Sequence, residues 1–153
     1  MTDLDFNKLE EFDKLKTKVL KYVLYKKRTE NEVRQKFSEN AGDLLDNVIE
    51  YLIEENYIND KNYIEKSVNE IIKLKNLSIK EVKYKLLSKG LASNIVDDYI
   101  YNHKEDMLDY EIKSAKNIII KKCNVMQYED ILSYLRKKGY MEETIKLIEE
   151  NNE

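Results

Sequence analysis

The chain has 153 residues, no proline, three glycines, one cysteine and a formal net charge of −3, which excludes an intramolecular disulfide and a molecule basic enough as a whole to wrap nucleic acid by charge alone. No apolar run approaches the roughly 18 residues of a membrane-spanning helix, and the acidic opening Met1-Thr2-Asp3-Leu4-Asp5-Phe6 lacks the basic-then-apolar order of a signal peptide. A lone thiol suits a reducing compartment, so the expected location is cytoplasmic; the scarcity of helix breakers leaves long stretches free to be helical.

Residues 1–13 read as an acidic N-terminal segment with Asp3, Asp5, Glu10, Glu11 and Asp13. Between about 14 and 26, Leu15, Val19, Leu20, Tyr22 and Val23 share one helical stripe. Thr29 and Glu32 then make an S/T-x-x-E capping box, in which the hydroxyl accepts from the N3 amide and the carboxylate reaches back to the cap amide. A helix with Val33 and Phe37 on one face follows, and a third stripe runs through Leu44, Leu45, Val48, Ile49, Leu52 and Ile53. Asn59-Asp60 caps the next helix, which carries Tyr63, Ile64, Val68, Ile71 and Ile72. Ser78 and Glu81 repeat the capping box, Val82 and Leu86 the apolar pair, and Gly90 the left-handed stop. Ile95, Val96, Tyr99 and Ile100 close this set. Leu108, Ile112, Ala115, Ile118 and Ile119 open the last one. Its middle helix starts at Gln127, a poor cap, carries Ile131 and Leu135, and stops at Gly139 before a final helix with Ile145 and Ile148.

Thr29, Ser78 and Gln127 stand 49 residues apart, and caps, apolar positions and terminal glycines recur together at that period. The chain is therefore expected to be all-α: three tandem three-helix repeats at 14–58, 59–103 and 104–153. One such unit is too small to bury its own apolar face, so neighbours must stack.

The catalytic inventory is poor. His103 is the only histidine, so neither a zinc pair nor a Ser-His-Asp set is available, and it reads as a polar residue near a helix end. Cys123 has no histidine near it in sequence and reads as a buried, inert thiol. No phosphate-binding glycine loop is present. Asp97-Asp98 and Glu142-Glu143 are sequence neighbours, pointing roughly 100° apart on a helix, so they read as solvated faces rather than acid/base pairs. We expect no enzymatic activity, no metal and no cofactor.

Charge is segregated. Acids gather at both ends, the latter with Glu142, Glu143, Glu149, Glu150 and Glu153, and again at Asp97, Asp98, Glu105, Asp106, Asp109 and Glu111. Bases gather inside. The candidate binding face comprises Arg28, Arg34, Lys73, Lys75, Lys80, Lys83, Lys89, Lys121, Lys122, Arg136, Lys137 and Lys138. Aligned in stacked repeats, such side chains would suit phosphates or an acidic protein groove. The competing reading is that these charges only solubilise helix surfaces.

Four segments in order resemble the RecX family of RecA regulators. They are Leu24…Arg28-Thr29-x-x-Glu32-Val33, Asn56-Tyr57-Ile58-Asn59-Asp60-x-x-Tyr63, Ser78-x-x-Glu81-Val82-x-x-x-Leu86-x-x-Lys89-Gly90-Leu91 and Leu135-x-x-Lys138-Gly139-Tyr140. Asn56 stands where the family has glycine, and the first repeat ends in Ser38-Glu39-Asn40-Ala41-Gly42 instead of Lys-Gly. Some relatives are longer at the N-terminus. The resemblance covers about residues 14–150 and implies an elongated, curved array. It also implies a monomer that binds the RecA filament on single-stranded DNA and restrains recombinase, ATPase and co-protease activity in homologous recombination and the SOS response to DNA damage. Direct binding to DNA would be weak, and no membrane is involved. Two rival readings remain open, a stand-alone helical nucleic-acid-binding module and a generic helical interaction scaffold.

Overall fold

A computed structural model describes residues 2–151; of the residues used above, Met1 and Glu153 lie outside them. The described residues form nine α-helices and no strand: α1 (Asp3–Tyr25), α2 (Glu30–Lys36), α3 (Asp43–Glu54), α4 (Asp60–Leu74), α5 (Ile79–Ser88), α6 (Ser93–Asn102), α7 (Lys104–Lys122), α8 (Tyr128–Lys137) and α9 (Glu142–Asn151). The chain divides into two compact units. One comprises the residues up to Tyr63 together with Lys89–Leu91, the other Ile64–Ser88 and the residues from Ala92 onward.

In the first unit, α1 begins at Asp3, well ahead of the start near 14 that apolar spacing suggests. The cause is local: Thr2 and Asp5 form a capping box, with the Asp5 amide donating to Thr2 Oγ1 at 3.2 Å and the Thr2 amide to Asp5 Oδ2 at 3.3 Å. The added turns bury little, and Leu4, Phe6 and Leu9 stay exposed. The core begins at Leu15 and joins Val19 and Val23 to Val33, Leu45, Val48, Ile49, Leu52 and Ile58. Tyr22 meets Phe37 edge-on at 5.8 Å, closing α1 over the end of α2. Without a Lys-Gly ending, α2 stops at Lys36 and a 3-10 turn over Ser38–Asn40 leads to α3. Asn56 adopts a left-handed φ of 65°, so it supplies the backbone turn that glycine supplies in the family pattern.

In the second unit, Ala115, Ile131, Leu132, Leu135, Tyr140, Ile145 and Ile148 form one cluster. Ile64, Val68, Val82, Leu86, Val96 and Met107 are buried as well.

The capping boxes at Thr29 and Ser78 are both made, and Gln127 makes no side-chain cap bond. Each cap hydroxyl does a second job. Thr29 Oγ1 donates to the Lys89 carbonyl at 2.9 Å, and Ser78 Oγ donates to the Lys138 carbonyl at 2.8 Å. Each acceptor immediately precedes a left-handed glycine, Gly90 with φ +81° and Gly139 with φ +95°. A Cβ on Gly90 would meet the Asn31 side chain at 2.1–2.5 Å, and one on Gly139 would meet Lys80 Cδ at 2.8 Å. Asn31 and Lys80 each lie two residues past a cap. The Lys-Gly element is thus a docking corner for a helix start, used once in each unit.

Candidate basic interface

A buried carboxylate organises the second unit. Glu111 is fully buried on α7, although in the sequence it belongs to an acidic cluster with Glu105, Asp106 and Asp109. Its Oε2 accepts from the Ile79 amide at 2.7 Å, and its Oε1 from the Met141 amide at 2.8 Å and Thr144 Oγ1 at 2.7 Å. One side chain thereby satisfies orphan amides near the starts of α5 and α9, the compensation a buried charge requires. Nearby, Tyr110 Oη donates to the Lys75 carbonyl at 2.7 Å and accepts from the Leu77 amide at 3.0 Å, pinning the α4–α5 loop. Tyr140 Oη pairs with Ser114 Oγ at 2.8 Å. Burial pushes both tyrosine hydroxyls above the ordinary phenol range.

This scaffold fixes two adjoining grooves. The first, about 290 Å³, is lined by Lys80, Glu81, Tyr84, Lys85, Lys137 and Lys138. The second, about 370 Å³, shares Glu81 and Lys138 with it and adds Lys75, Lys121, Lys122 and Tyr134 along with apolar wall residues. Seven lysines therefore face one acid, and that acid is already engaged as the capping-box partner of Ser78, with Lys138 Nζ 3.7 Å away. Lys122 and Lys138 sit 4.4 and 5.6 Å from the centre of the Tyr134 ring, and Tyr84 is 75% exposed beside the lysines. A cationic surface with an exposed aromatic ring suits phosphates, nucleotide bases or carboxylates.

Six of the twelve candidate cations line these grooves: Lys75, Lys80, Lys121, Lys122, Lys137 and Lys138. Three others pair with acids: Arg34 with Glu30 and Asp46, Lys83 with Asp97 at 2.6 Å, and Arg136 with Glu142 at 2.7 Å. Glu142 and Asp46 raise the arginines' pKa further through charged hydrogen bonds. Lys73 and Lys89 are exposed without lining either groove. Arg28 belongs to the first unit, its guanidinium 4.1 Å from the centre of the Tyr22 ring. Tyr84, Lys85 and Tyr134 complete the grooves but were not among the twelve candidate residues, although Lys85 lies in the basic stretch of the sequence; Tyr84 falls midway between Val82 and Leu86, off the apolar stripe, which is the signal for an exposed aromatic residue. Cys123 corrects another expectation. It is exposed, because it caps the C-terminus of α7 and donates to the Ile120 carbonyl. His103 lies at the α6–α7 junction, a helix end as expected.

No helix among the described residues is long and apolar enough to cross a membrane. No family model matches the sequence. The chain is 32% identical over 139 residues to the regulatory protein RecX of Clostridium beijerinckii, covering 86% of this chain and 64% of that protein. It is 33% identical over 141 residues to the regulatory protein RecX of Clostridium perfringens strain 13, covering 87% and 66%. The chain thus spans just under two thirds of these relatives, and 56% of the Lactococcus lactis strain IL1403 protein of the same name. The crystal structure of RecX from Lactobacillus salivarius superposes with a TM-score of 0.77 at 25% identity, over 94% of this chain and 97% of that one.

Proposed function

The chain belongs to the RecX family, and from that membership we propose that it is a non-enzymatic regulator that binds the RecA filament on single-stranded DNA. It restrains the filament's recombinase, ATPase and co-protease activities during recombination and the response to DNA damage. It acts as a monomer in the cytoplasm, without a cofactor.

The observation that carries this reading is the paired groove of the second unit, where seven lysines surround a single, already engaged carboxylate. A chain of net charge −3 that concentrates its cations this way can be steered to a polyanionic assembly without binding nucleic acid everywhere. Filament binding of the triple variant Lys75→Glu, Lys121→Glu, Lys137→Glu tests it. All three side chains are exposed, so the fold should survive. Affinity for RecA-coated DNA should fall by about tenfold or more, with a shallower salt dependence. Arg136→Ala should do less, since Arg136 is already held by Glu142. Unchanged affinity and salt slope in the triple variant would remove the basic face from the account.

Direct binding to single-stranded DNA is the second reading. It is favoured by Tyr84, an exposed ring among lysines on which a base can stack. Mobility shifts with bare single-stranded DNA, RecA-coated DNA and RecA alone separate the two. The main proposal requires the strongest shift with the coated strand.

A further inference from the structure

The first unit contains a further groove, about 330 Å³, between the end of α1 and the start of α4. Its polar lining consists of Lys27, Arg28, Asn56, Tyr57, Asn59 and Asn62. No carboxylate lines it, although acidic residues outnumber basic ones in the chain, 30 to 27.

Arg28 is the unusual member. Its guanidinium lies over the Tyr22 ring, and its Nε is sealed from solvent with no hydrogen-bond partner. Among the described residues the guanidinium forms no ion pair and no hydrogen bond. A half-buried cation without a counter-ion is costly, and native structures ordinarily provide one. Arg34, Arg136 and Lys83 all have theirs.

The neighbouring amides point to the same chemistry. Asn56 Oδ1 accepts from Asn59 Nδ2 at 2.7 Å. Asn59 Oδ1 accepts from the Asn62 amide at 3.0 Å, and Asn62 Oδ1 accepts from Lys27 Nζ at 2.7 Å. Every side-chain amide oxygen at the groove is therefore occupied. The Asn56 and Asn62 amino groups and the guanidinium donate to no other group among the described residues, and of these only Arg28 Nε is sealed from solvent. The left-handed backbone at Asn56, φ 65°, is what turns this segment back toward Asn59.

We propose that this groove is a binding site for a phosphate group. Two cationic side chains and two neutral amide donors match a tetrahedral oxyanion carrying one or two charges and several acceptor oxygens. The guanidinium, already held flat against Tyr22, loses little freedom when it takes up its ligand. Tyr57, 45% exposed in the groove wall, offers a flat surface to a sugar or base attached to the phosphate. The site is built from the first unit alone and does not rest on the RecA reading.

The test follows the Arg28 Nε–Hε resonance by NMR in the 153-residue chain during separate titrations with inorganic phosphate, thymidine monophosphate, a short oligothymidylate and polyglutamate. A saturable shift with phosphate or the mononucleotide identifies a phosphate monoester as the ligand, and one with the oligothymidylate alone identifies a backbone phosphodiester. Either result supports the site. Arg28→Lys, which lacks the guanidinium reporter and is therefore followed, like wild type, at the side-chain amide resonances of Asn59 in the same groove, should weaken the bound phosphate probe about tenfold, the loss of a charge-assisted, planar contact, and Asn62→Asp should do so by placing a carboxylate in the groove. Lys146→Glu, an exposed change elsewhere, should not. If Arg28→Lys fails to fold, Asn62→Asp decides the matter. The proposal is overturned if no phosphate probe shifts the resonance saturably, if polyglutamate binds as well as every phosphate probe, or if the folded groove variants keep wild-type affinity.

Discussion

Ser78 joins two parts of the second unit through one hydroxyl. Its Oγ accepts from the Glu81 amide at 3.1 Å and donates to the Lys138 carbonyl at 2.8 Å. Ser78→Ala removes the cap and leaves a buried-side carbonyl without its donor, so it should cost about 2 kcal/mol, the upper end for a lost cap. Gln127→Ala removes no cap bond and should change stability by less than about 0.5 kcal/mol. Urea denaturation of both variants measures the difference; a larger loss at Gln127 would refute the capping assignment. The cap was readable from Ser78-x-x-Glu81 alone. Its second bond was not, because the acceptor lies 60 residues away. Glu111 shows the opposite lesson. Reading it with Asp106 and Asp109 as a charge cluster hid that it falls on the stripe of Met107 and Ala115, spaced four residues from each, and all three are buried. Cys123 was misread because a helix-terminal position outweighs the general tendency of free thiols to be buried.

The helices themselves were legible because caps and apolar stripes are local signals. The middle helices begin one residue after Thr29, Ser78 and Gln127, and Asn59 caps α4 through the Asn62 amide. The length of α1 was missed, since its first turns are held by a Thr-Asp capping box rather than by burial. The Lys-Gly corners were legible as helix stops but not as docking sites. Gly90→Ala should destabilise the chain by more than about 1 kcal/mol, from the left-handed backbone and from the collision with Asn31 Cβ at 2.5 Å. Gly139→Ala should cost less, because the nearest atom is Cδ of the flexible Lys80 chain, at 2.8 Å, and Lys80 Cβ lies farther off, at 3.0 Å. Thermal unfolding by circular dichroism checks the order. Equal or reversed losses would mean that the corners do not dock helix starts as described.

Over the full chain, near-balanced charge conceals a strong local asymmetry. Counting charges from the sequence singled out Lys75, Lys80, Lys121, Lys122, Lys137 and Lys138, which line the basic grooves. It also included Arg34, Lys83 and Arg136, whose partners Asp46, Asp97 and Glu142 come from other turns or helices. Only the contacts of α2 with α3, of α5 with α6 and of α8 with the start of α9 show which of these three cations are already paired across elements. In the proposed function, regulation rests on the lysine-lined face and no chemistry on the chain itself. RecA-driven ATP hydrolysis on single-stranded DNA, measured with and without this chain, tests that claim most directly. The predicted result is a rate that falls as the wild-type chain is added, is restored toward its starting value with the Lys75, Lys121, Lys137 reversal variant, and is accompanied by no hydrolysis when RecA is left out. An unchanged rate at saturating wild-type chain, or hydrolysis by the chain alone, would contradict it.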